Sequence, residues 1–357
     1  MTAKELAKLI GVSEATMSLV INGKHGISNK TRTMVITRMK ELGYGDMLQN
    51  KAPGDQGMSA AFGQSRNAGE NDSIQERQIA FVNFKDKGEL LGMNSFFPLI
   101  LDGIERTVRE NGCRLTVLNI EKAKLDEQLK WFHESRCAGL VLFATEMKSA
   151  DAKKFAALNI PFVVLDNEFY DVSADSVKLN NQQGTWLAAR YLAEEGHKRV
   201  GYLSSGVDIN SFHERQRCAV NALEESGIED AAKHIYTIGY PHESAEEGMM
   251  QLLKSRSKEE LPTAFLTDND LVAVGAMRAM QAMGYRVPED FSLVGFDDRP
   301  ICTMISPRLT TVAIPRETFG SSAVDRLINI LNGRGREITT IEINCELVKR
   351  DTVYRLK

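Results

Sequence analysis

From residue 78 onward, short apolar runs alternate with amphipathic stretches, and this alternation restricts the possible folds more than any other feature of the chain. The runs that have the length and composition of buried strands are QIAFVNF (78–84), RLTVLNI (114–120), GLVLFA (139–144), PFVVLD (161–166), RVGYLS (199–204), TAFLT (263–267) and FSLVGFD (291–297). Near-continuous apolar strands separated by helical segments indicate parallel sheets covered by helices on both faces. So many strands predict two successive doubly wound α/β lobes, with a ligand cleft beyond the carboxyl ends of the strands.

The first 46 residues are organised differently, because they carry helical periodicity and no strand pattern. Small and apolar residues recur at the spacing of one helix face over residues 3–10, Gly11 permits a tight turn, and Ser13 is suited to begin a second helix over residues 14–22. A third helix is expected to follow. Seven basic and four acidic residues give this segment a net charge of +3, within a chain whose net charge is -4. The pattern is typical of a helix-turn-helix unit that meets a polyanion, although a helical hairpin without DNA-binding activity can share it.

The stretch KELAKLIGVSEATMSLVINGKHGISNKTRTMVITRMKELGY resembles the DNA-binding head of the lactose/galactose-repressor family of bacterial transcription regulators. The match includes the G-V-S turn at residues 11–13, the T-x-S pair of Thr16 and Ser18, and the closing L-G-Y at residues 42–44. Segments of the body are similar to the regulatory core of the same family, so the resemblance covers nearly the whole chain apart from the linker. It implies an N-terminal all-α helix-turn-helix head and an α/β core like that of periplasmic binding proteins, built of two doubly wound parallel-sheet lobes.

The resemblance also implies a domain organisation. The expected units are a DNA-binding head over residues 1–46, a flexible linker over 47–76, and an effector-binding and dimerisation core over 77–357. The expected lobes of the core are about residues 77–175 with 308–337, and about residues 176–307 with 338–357. The linker is rich in Gly, Asn, Gln and Ser and lacks the P-N-x-x-A-R-x-L run of the family's short hinge helix. We therefore expect no stable helix there, although Met47-Leu48 or residues 58–62 could replace the missing run.

By the same resemblance, side chains of the head contact DNA. The expected DNA-binding residues are Ser13, Glu14, Ala15, Thr16, Ser18, Leu19, Asn22, Ser28 and Thr31. Glu14, Ala15 and Ser18 are expected to face bases, whereas the polar side chains at positions 13, 22, 28 and 31 are expected to contact phosphates. Leu19 stands where the family usually has an arginine that reads guanine, and leucine can instead pack on a thymine methyl group. We therefore expect a palindromic operator that differs from the family's usual one.

Candidate effector ligands lie in the core, and they are Phe97, Asp166, Arg215, Asn269 and Asp297. Guanidinium, carboxylate and carboxamide groups, together with an aromatic face, are the groups that hold a sugar or polyol. The resemblance equates Arg215 and Asp297 with the family's ligand arginine and aspartate, and Phe97 with a position that often stacks on the effector. The other two candidates follow strand ends, where the cleft is expected. Cys218 and Ala219 replace the Gly-Phe that usually follows this arginine, so the floor of the pocket differs from that of the family.

The residues alone leave other roles open for these candidates. Arg215 could be a surface cation paired with Glu214, and Asp297 could cap a turn. The aromatic candidate could belong to the core. Asp298 and Arg299 are expected to form a solvated ion pair.

The sequence carries no catalytic pattern beside this cleft. Its histidines form no HExxH pair, and it lacks GxxxxGK followed by Ser or Thr, a GxGxxG after a strand, and a GxSxG elbow. We therefore expect a chain that is not an enzyme and that binds no cofactor or metal. The alternative is a sugar-binding or sugar-modifying protein with an accessory helical head.

The sequence is therefore interpreted as a repressor that binds palindromic operator DNA as a homodimer and responds to a small, sugar-like effector between the lobes. No apolar run approaches the ~20 residues that a membrane helix needs. Five scattered cysteines indicate reduced thiols, and the first residues are unlike a secretory signal. These features predict a cytoplasmic protein without a membrane partner.

Overall fold

The computed structural model describes residues 3–21, 31, 34–35, 37–39, 77–88, 97–228, 230–335 and 337–356. Contacts divide the chain into two units, residues 1–72 and 73–357. The expected linker and any helix in it lie outside the described residues, as do the expected DNA contacts Asn22 and Ser28. None of the described helices is long and apolar enough to cross a membrane.

In the first unit, α1 (Ala3–Ile10) and α2 (Glu14–Ile21) are the two helices expected there. Their buried side chains and those of later helical residues form one small core, which contains Leu6, Ala7, Met17, Val20, Val35 and Met39. The apolar positions that the sequence spaces at helical intervals therefore pack against one another, as an amphipathic helix requires.

The turn between these helices has the geometry that its sequence predicts. Gly11 has a φ of +81°, and its N–H and that of Val12 both donate to the carbonyl of Ala7. Glycine adopts this left-handed conformation without a steric penalty, so it ends the first helix cleanly. The Oγ of Ser13 then accepts a hydrogen bond from the backbone N–H of Thr16 at 3.0 Å, which confirms the expected cap of the second helix.

In the second unit, strands and helices alternate along the chain. The strands are β1 (Gln78–Lys85), β2 (Arg114–Glu121), β3 (Cys137–Phe143), β4 (Phe162–Leu165), β5 (Asp175–Leu179), β6 (Val200–Ser204), β7 (Ile235–Thr237), β8 (Ala264–Thr267), β9 (Ser292–Asp297), β10 (Thr310–Ala313), β11 (Thr340–Ile343) and β12 (Glu346–Val348). The helices are α3 (Phe97–Glu110), α4 (Leu125–Gln128), α5 (Lys130–Glu134), α6 (Ser149–Ala156), α7 (Asn181–Glu194), α8 (Asn210–Glu225), α9 (His242–Ser255), α10 (Asp270–Ala282), α11 (Ile301–Met304) and α12 (Arg316–Leu331). Short 3-10 turns occur at Lys122–Lys124, Ala231–His234 and Lys258–Glu260.

The strands form two six-stranded sheets, as the two-lobe prediction requires. The first has the order β11-β5-β4-β3-β1-β2 and is parallel throughout. The second has the order β12-β10-β9-β8-β6-β7 and is parallel except for the edge pair of β10 with β12. Below, lobe 1 is the first sheet with its helices, residues 77–179 and 316–343. Lobe 2 is the second sheet with its helices, residues 181–313 and 346–356.

Helices cover both faces of each sheet, which explains the near-continuous apolar strands. In β1, Ile79 and Phe81 pack into a core with α3 and α12, whereas Val82 and Phe84 pack into a second core with α4, α5 and α6. Successive side chains of a strand point to opposite faces, so both faces of this strand are buried. The expected doubly wound architecture is confirmed.

The strand pairings correct the expected lobe boundaries by a few residues. β5 pairs with β4 and β11, so residues 176–179 and 340–343 belong to lobe 1. β10 pairs with β9, so residues 310–313 belong to lobe 2. The expected boundaries were wrong because β5, β10 and β11 are only four or five residues long and carry polar side chains.

The chain therefore crosses between the lobes three times, at residues 180, 314–315 and 344–345. Two of the crossings are bonded to each other. Asn180 donates from Nδ2 to Oδ1 of Asn344 at 3.0 Å, and its backbone N–H donates to the carbonyl of Ile343 at 2.9 Å. The first and third crossings thus lie side by side and form one joint.

Candidate ligand cleft and nucleic-acid interface

A small cavity of about 40 Å³ lies between the lobes at the carboxyl ends of several strands. Its wall consists of Phe143, Thr145, Asp166, Ile209, Ser211, Phe212, Arg215, Asn269, Asp297 and Arg299. Two wider clefts, of about 220 and 490 Å³, adjoin it and share wall residues with it. Four of the five candidate effector residues therefore meet at one cavity, with Asp166 on lobe 1 and the other three on lobe 2.

The centre of the lobe 2 wall is a buried carboxylate held between two guanidinium groups. Arg215, at 3% exposure, donates from an Nη atom to Oδ1 of Asp297 at 3.3 Å, and Arg299, at 5% exposure, donates from Nε to Oδ2 at 3.1 Å. Arg215 also bonds Oδ1 of Asn181 at 2.9 Å and the carbonyl of Asp268 at 2.8 Å. Since buried charges are stable only when paired and hydrogen-bonded, this network fixes the orientation of both arginines.

The backbone at Asp297 is strained in a way that serves this network. Asp297 ends β9 with a φ of +111°, and Asp298 follows with a φ of +53°. Such conformations are costly for residues with a side chain and persist where the surroundings hold them. Here Arg316 donates to the carbonyl of Asp297, while the guanidinium of Arg215 stacks 3.7 Å from the ring centroid of Phe296. The turn aims the Asp297 carboxylate at the cavity.

On the lobe 1 wall, Asp166 follows β4 with a φ of +69°. Its Oδ2 accepts a hydrogen bond from the Thr145 hydroxyl at 2.6 Å. Burial raises the pKa of this carboxyl to about 6, against the opposing effects of the Thr145 hydrogen bond and the charge of Arg215. Asp166 is therefore a hydrogen-bond acceptor at neutral pH and gains a proton in mildly acidic solution.

Asn269 contributes a donor to the lobe 2 wall. It is 1% exposed and precedes α10, where its Oδ1 accepts hydrogen bonds from the N–H groups of Leu271 and Val272 at 3.1 and 3.2 Å. Because Oδ1 caps the helix, Nδ2 of the same amide takes no part in the cap. Nδ2 has no hydrogen-bond partner among the described residues, and neither does the hydroxyl of Tyr240, which lines the adjoining cleft.

Asp270 supports this wall from behind. Its carboxylate accepts hydrogen bonds from the backbone N–H of Arg299 at 2.7 Å and from the Thr311 hydroxyl at 2.5 Å. Gly295 makes room for it, because a Cβ there would lie 2.3 Å from Oδ1 of Asp270. Burial, with the nearby charge of Asp297, raises the pKa of Asp270 to about 7. The start of α10 and the turn after β9 are thereby joined.

Polar contacts bridge the lobes around the cavity. Lys148 of lobe 1 pairs with Asp208 of lobe 2 at 3.0 Å, and Asn210 donates to Oδ1 of Asn167 at 2.6 Å. The lobe 2 partners lie at or just before the start of α8, the helix that carries Arg215. Contacts between the lobes therefore converge on the segment that leads into the candidate effector arginine.

A third bridge lies further along α8. Lys178 of lobe 1 bonds Glu214 of lobe 2 at 3.2 Å, and it also bonds Glu168 and Glu342 of its own lobe at 2.9 and 3.3 Å. Burial favours the neutral amine of Lys178, but the hydrogen bonds and charges of these carboxylates outweigh it and raise its pKa. Lys178 is thus a fixed charge between the lobes.

The structure contradicts two alternative interpretations of the sequence. Arg215 is not a surface cation paired with Glu214, since it is buried and pairs with Asp297. Asp298 and Arg299 do not form a solvated pair. Asp298 pairs with Arg350 at 2.7 Å, whereas Arg299 turns inward onto Asp297. Arg299 is thus a cavity residue that the sequence reasoning missed.

Phe97 stands apart from the other candidates. It begins α3 and packs with the aromatic rings of Phe81 and Phe143, at centroid distances of 5.6 and 6.1 Å. Phe143 lines the cavity, so Phe97 lies behind one of its wall residues. Thr145 and Tyr240 were also missed, because they lie in loops whose sequences carry no pattern.

In the head, one side of α2 faces away from the small core. Glu14, Ala15 and Ser18 are exposed, and Leu19 is half-buried. The opposite face carries Met17 and Val20, which are buried against the other helices of the head. Ser13 and Thr16 lie at the start of the helix, and Thr31 is among the described residues of the following helical segment. This side of α2, residues 14, 15, 18 and 19, is called the exposed face of α2 below.

The described residues include no group of three or more His, Cys, Asp and Glu side chains placed to hold a metal ion. The cavity wall instead combines guanidinium, carboxylate, carboxamide and hydroxyl groups with two phenyl rings. Such a wall is suited to bind a small polar molecule through many directed hydrogen bonds.

Two family models match the chain. A model of bacterial regulatory proteins of the lacI family matches residues 2–45, and a model of periplasmic binding protein-like domains matches residues 189–353. The chain is 27% identical to the ribose operon repressor of Haemophilus influenzae, over 100% of the chain and 99% of that protein. It is 29% identical to the transcriptional regulator GalR of Escherichia coli, over 99% and 95%.

A solved structure supports the same likeness. The lac repressor dimer bound to operator and the anti-inducer ONPF matches with a TM-score of 0.68 and 25% identity, over 99% of both chains. The similarity therefore extends over the head and the two-lobed core together.

Proposed function

The chain belongs to the LacI family of bacterial regulatory proteins, and from this premise we propose that it is a transcriptional repressor whose affinity for operator DNA depends on a small polyhydroxy effector. In this proposal residues 1–46 read the operator, residues 47–76 link the head to the core, and the core binds the effector and a second copy of the chain. This chain is similar to the ribose operon repressor and to the operator-bound lac repressor over nearly the whole length of each, which supports this assignment.

The observation that carries the proposal is the buried Arg215–Asp297–Arg299 network at a cavity between two lobes. A buried set of paired charges is costly to maintain for stability alone, since apolar residues of similar volume would pack as well. Its place beyond the strand ends is where α/β lobes bind ligands. Asp166 and Asn269 complete the proposed effector site, and Phe97 supports it through Phe143.

The proposed mechanism links this site to DNA through the dimer. One head makes few contacts, whereas two heads on a two-fold core bind both half-sites of a palindrome, so that the second contact is intramolecular. An effector that binds one arrangement of the lobes more tightly shifts the population toward it. The inter-lobe pairs Lys148–Asp208 and Lys178–Glu214 are the contacts that such a change would remake.

On the DNA side, we propose that the exposed face of α2 reads base edges and that Leu19 packs on a thymine methyl group. Leu19→Arg should restore a guanine contact. It should change the preferred base at that position, with a difference in binding free energy of about 1–3 kcal/mol per half-site between guanine and the other bases. Selection on randomised duplexes with both proteins measures this change. The same preferred site for both would show that Leu19 does not contact a base.

The experiment that tests the proposal is a gel shift on the operator obtained by that selection. The full chain should bind it as a dimer, deletion of residues 1–46 should abolish binding, and a polyhydroxy compound that raises the melting temperature of the protein should change the operator affinity. Failure of the full chain to bind any selected duplex at low salt would refute the repressor. Turnover of a stabilising sugar would instead indicate an enzyme.

A further inference from the structure

The carboxylate of Glu214 contacts both sides of the first crossing between the lobes. Its Oε1 accepts a hydrogen bond at 3.2 Å from Nζ of Lys178, which lies two residues before Asn180 at the crossing. Its Oε2 accepts one at 2.7 Å from Nδ2 of Asn181, the first residue after the crossing. Lys178 belongs to β5 of lobe 1, whereas Glu214 and Asn181 belong to helices of lobe 2. A rotation of lobe 1 about this crossing therefore changes the contact between Lys178 and Glu214.

Asn181 connects this carboxylate to the candidate effector arginine. While its Nδ2 donates to Glu214, its Oδ1 accepts a hydrogen bond from Nε of Arg215 at 2.9 Å. Asn181 is 3% exposed, so both bonds are shielded from water. The side-chain amide has donors on one side and an acceptor on the other, and a carboxylate can only accept. The Glu214 carboxylate therefore decides that the oxygen of the amide, and not its NH2 group, faces the guanidinium group.

Lys178 can leave Glu214 without losing all of its partners. It also bonds Glu168 and Glu342 of its own lobe, at 2.9 and 3.3 Å. An ammonium group that is largely buried is costly when it is unpaired, and these two carboxylates keep it paired. Glu214, for its part, keeps its bond to Asn181. The contact between Lys178 and Glu214 can therefore open and close at a low cost when the lobes move.

Closure of this contact restricts Arg215. When both of its oxygens are occupied, the Glu214 carboxylate is fixed, and with it the amide of Asn181. When Lys178 leaves, the carboxylate is held at one oxygen and can rotate, so Asn181 offers Arg215 a less fixed acceptor. Arg215 continues into the cavity wall through its bond to Oδ1 of Asp297 at 3.3 Å.

We propose that Glu214 is a positioning residue, which transmits the arrangement of the lobes at the first crossing to Arg215 through Asn181. This inference rests on the proposed function, in which Arg215 binds the effector. Coupling between two sites is reciprocal, so an effector that holds Arg215 in its present orientation also favours the arrangement in which Lys178 contacts Glu214. The amide of Asn181 is thus the link between the crossing and the effector site.

Glu214→Gln tests this link in the full chain. The side-chain amide of glutamine has one accepting oxygen, so its NH2 group must face either Lys178 or Asn181, which are both donors. The measurement is solvent exchange of the Nε proton of Arg215, by NMR of the isotopically labelled chain. The signal is assigned by its absence in Arg215→Lys. Exchange should be at least roughly tenfold faster in Glu214→Gln than in the wild type, because the bond to Asn181 is weakened.

Glu168→Gln is the matched control. It removes one negative charge from another carboxylate that bonds Lys178, and the side-chain exposure of Glu168, 27%, is close to the 24% of Glu214. The amide of Asn181, however, bonds Glu214 rather than Glu168. This variant should change the exchange rate at Arg215 by less than roughly threefold. Equal acceleration in the two variants would show a general effect of charge and overturn the positioning role.

Lys178→Met tests whether the arrangement of the lobes reaches Arg215. It removes the lobe 1 partner and leaves both Glu214 and Asn181 unchanged. Exchange at Arg215 should accelerate by roughly threefold to tenfold, and Lys178→Arg, which keeps a charged donor, should return the rate to within roughly twofold of the wild type. Unchanged exchange in Lys178→Met would mean that Glu214 supports Arg215 within lobe 2 alone, and would overturn the inference.

The Nε proton of Arg326 is the internal reference for all of these variants. Arg326 bonds Asp175 at 2.6 Å and the carbonyl of Glu337, and these partners differ from those of Lys178. Its exchange rate should stay constant. Equal acceleration at Arg326 and Arg215 would indicate that the whole core has loosened, and would overturn the inference.

The result is separable from that of the proposed function, because none of these measurements uses DNA or an effector. If Glu214→Gln does not fold, the two variants of Lys178 decide by the same criteria. Unchanged exchange in Glu214→Gln would overturn this inference and leave the repressor standing. Failure of the wild-type chain to bind operator would refute the repressor and leave the positioning of Arg215 by Glu214 in place.

Discussion

The two walls of the cleft are built differently, although each lies at the carboxyl ends of a parallel sheet. On lobe 2, Arg215, Asp268, Asp270, Asp297 and Arg299 are all buried, and most are hydrogen-bonded to another member of the set or to the backbone of one. They come from α8, from the segment that leads from β8 into α10, and from the end of β9 with the turn after it, so the wall is assembled by the core of the lobe.

On lobe 1, the part of the wall around Asp166 and the strand β1 is held by side-chain contacts to loops rather than by a network of buried ion pairs. Asp166 is held by Thr145, and the loop after β1 is held by Glu146, whose Oε2 accepts hydrogen bonds from three consecutive backbone N–H groups at residues 86–88, at 2.8 to 3.1 Å. Lys148 at the rim is half-exposed. A wall of this kind moves at a lower cost than a buried charge network.

This difference indicates that lobe 2 selects the effector and that lobe 1 changes its arrangement when the effector binds. The groups of the lobe 2 wall are held in place by one another, so we expect this wall to set what can bind, since preorganised groups lose little entropy on binding. We expect the lobe 1 wall to be the one that moves when a ligand binds. Four substitutions test this division, from the largest expected effect to the smallest.

Arg215→Ala should have the largest effect, because it leaves Asp297 with one guanidinium partner and Asn181 without its donor. We expect a loss of about 3–5 kcal/mol in the free energy of unfolding, measured by urea denaturation, and loss of the effector response. Arg190→Ala is the matched control, since Arg190 forms an exposed pair with Glu194, and it should cost less than about 1 kcal/mol. Equal costs for the two variants would contradict a buried network on lobe 2.

Asp166→Asn should change how stability depends on pH. The folded pKa of Asp166 is about 6 and its ordinary value is 3.8, so the folded state holds this proton more tightly than the unfolded state. This tighter proton binding contributes about 3 kcal/mol to the free energy of unfolding. The contribution is complete below about pH 4 and is lost as the pH rises through about 6. The difference in unfolding free energy between wild type and variant should follow this curve between pH 4 and 8.

The control for this substitution is Asp126→Asn, at an exposed carboxyl of the same lobe that pairs with Lys154. It should lower the free energy of unfolding by less than about 1 kcal/mol at pH 7. A curve for Asp166→Asn that runs parallel to that of the wild type would mean that Asp166 is not desolvated at the cleft.

Glu146→Gln should loosen the lobe 1 wall alone. A neutral amide oxygen is a weaker acceptor than a carboxylate, so the three N–H groups at residues 86–88 lose about 1–2 kcal/mol of stabilisation. Hydrogen exchange should accelerate at these amides. The amide of Ser205, which bonds the Asp268 carboxylate on lobe 2 at 2.5 Å, is the internal reference and should keep its rate. Acceleration at both would show that the two walls open together.

Lys148→Met should have the smallest effect on stability. The pair with Asp208 is exposed, with side-chain exposures of 43% and 74%, so its loss should cost less than about 1 kcal/mol. Because the pair joins the lobes, the radius of gyration of the ligand-free protein in X-ray scattering should nevertheless increase slightly. A cost above about 2 kcal/mol would place part of the stability of the cleft on lobe 1.

Elements that are set by local sequence patterns could be predicted, whereas those that depend on distant partners could not. The long apolar strands and the first two helices of the head follow from local patterns, and all of them are present among the described residues. β5 was missed because its polar residues are satisfied by distant partners: Asp175 accepts from Arg326 and Thr339, and Ser176 bonds Thr340. No local pattern reports such pairings.

The residues of the cavity wall could likewise be predicted only in part. Asp166, Asn269 and Asp297 could be expected from their positions after strands, because the fold brings strand ends together. The inward turn of Arg299 could not, since it depends on two successive positive φ angles that send the carboxylates of Asp297 and Asp298 to different partners. The direction of a side chain in such a turn is set by tertiary contacts.

The three crossings between the lobes also govern how the chain can be completed during synthesis. Lobe 1 receives α12 and β11 only after nearly all of lobe 2 has been made, and lobe 2 receives its last strand, β12, directly afterwards. Neither lobe can therefore complete its fold before most of the other lobe has been synthesised, in contrast to chains whose domains fold one after another. A stop codon that removes residues 340–357 would therefore strip an edge strand from both sheets at once.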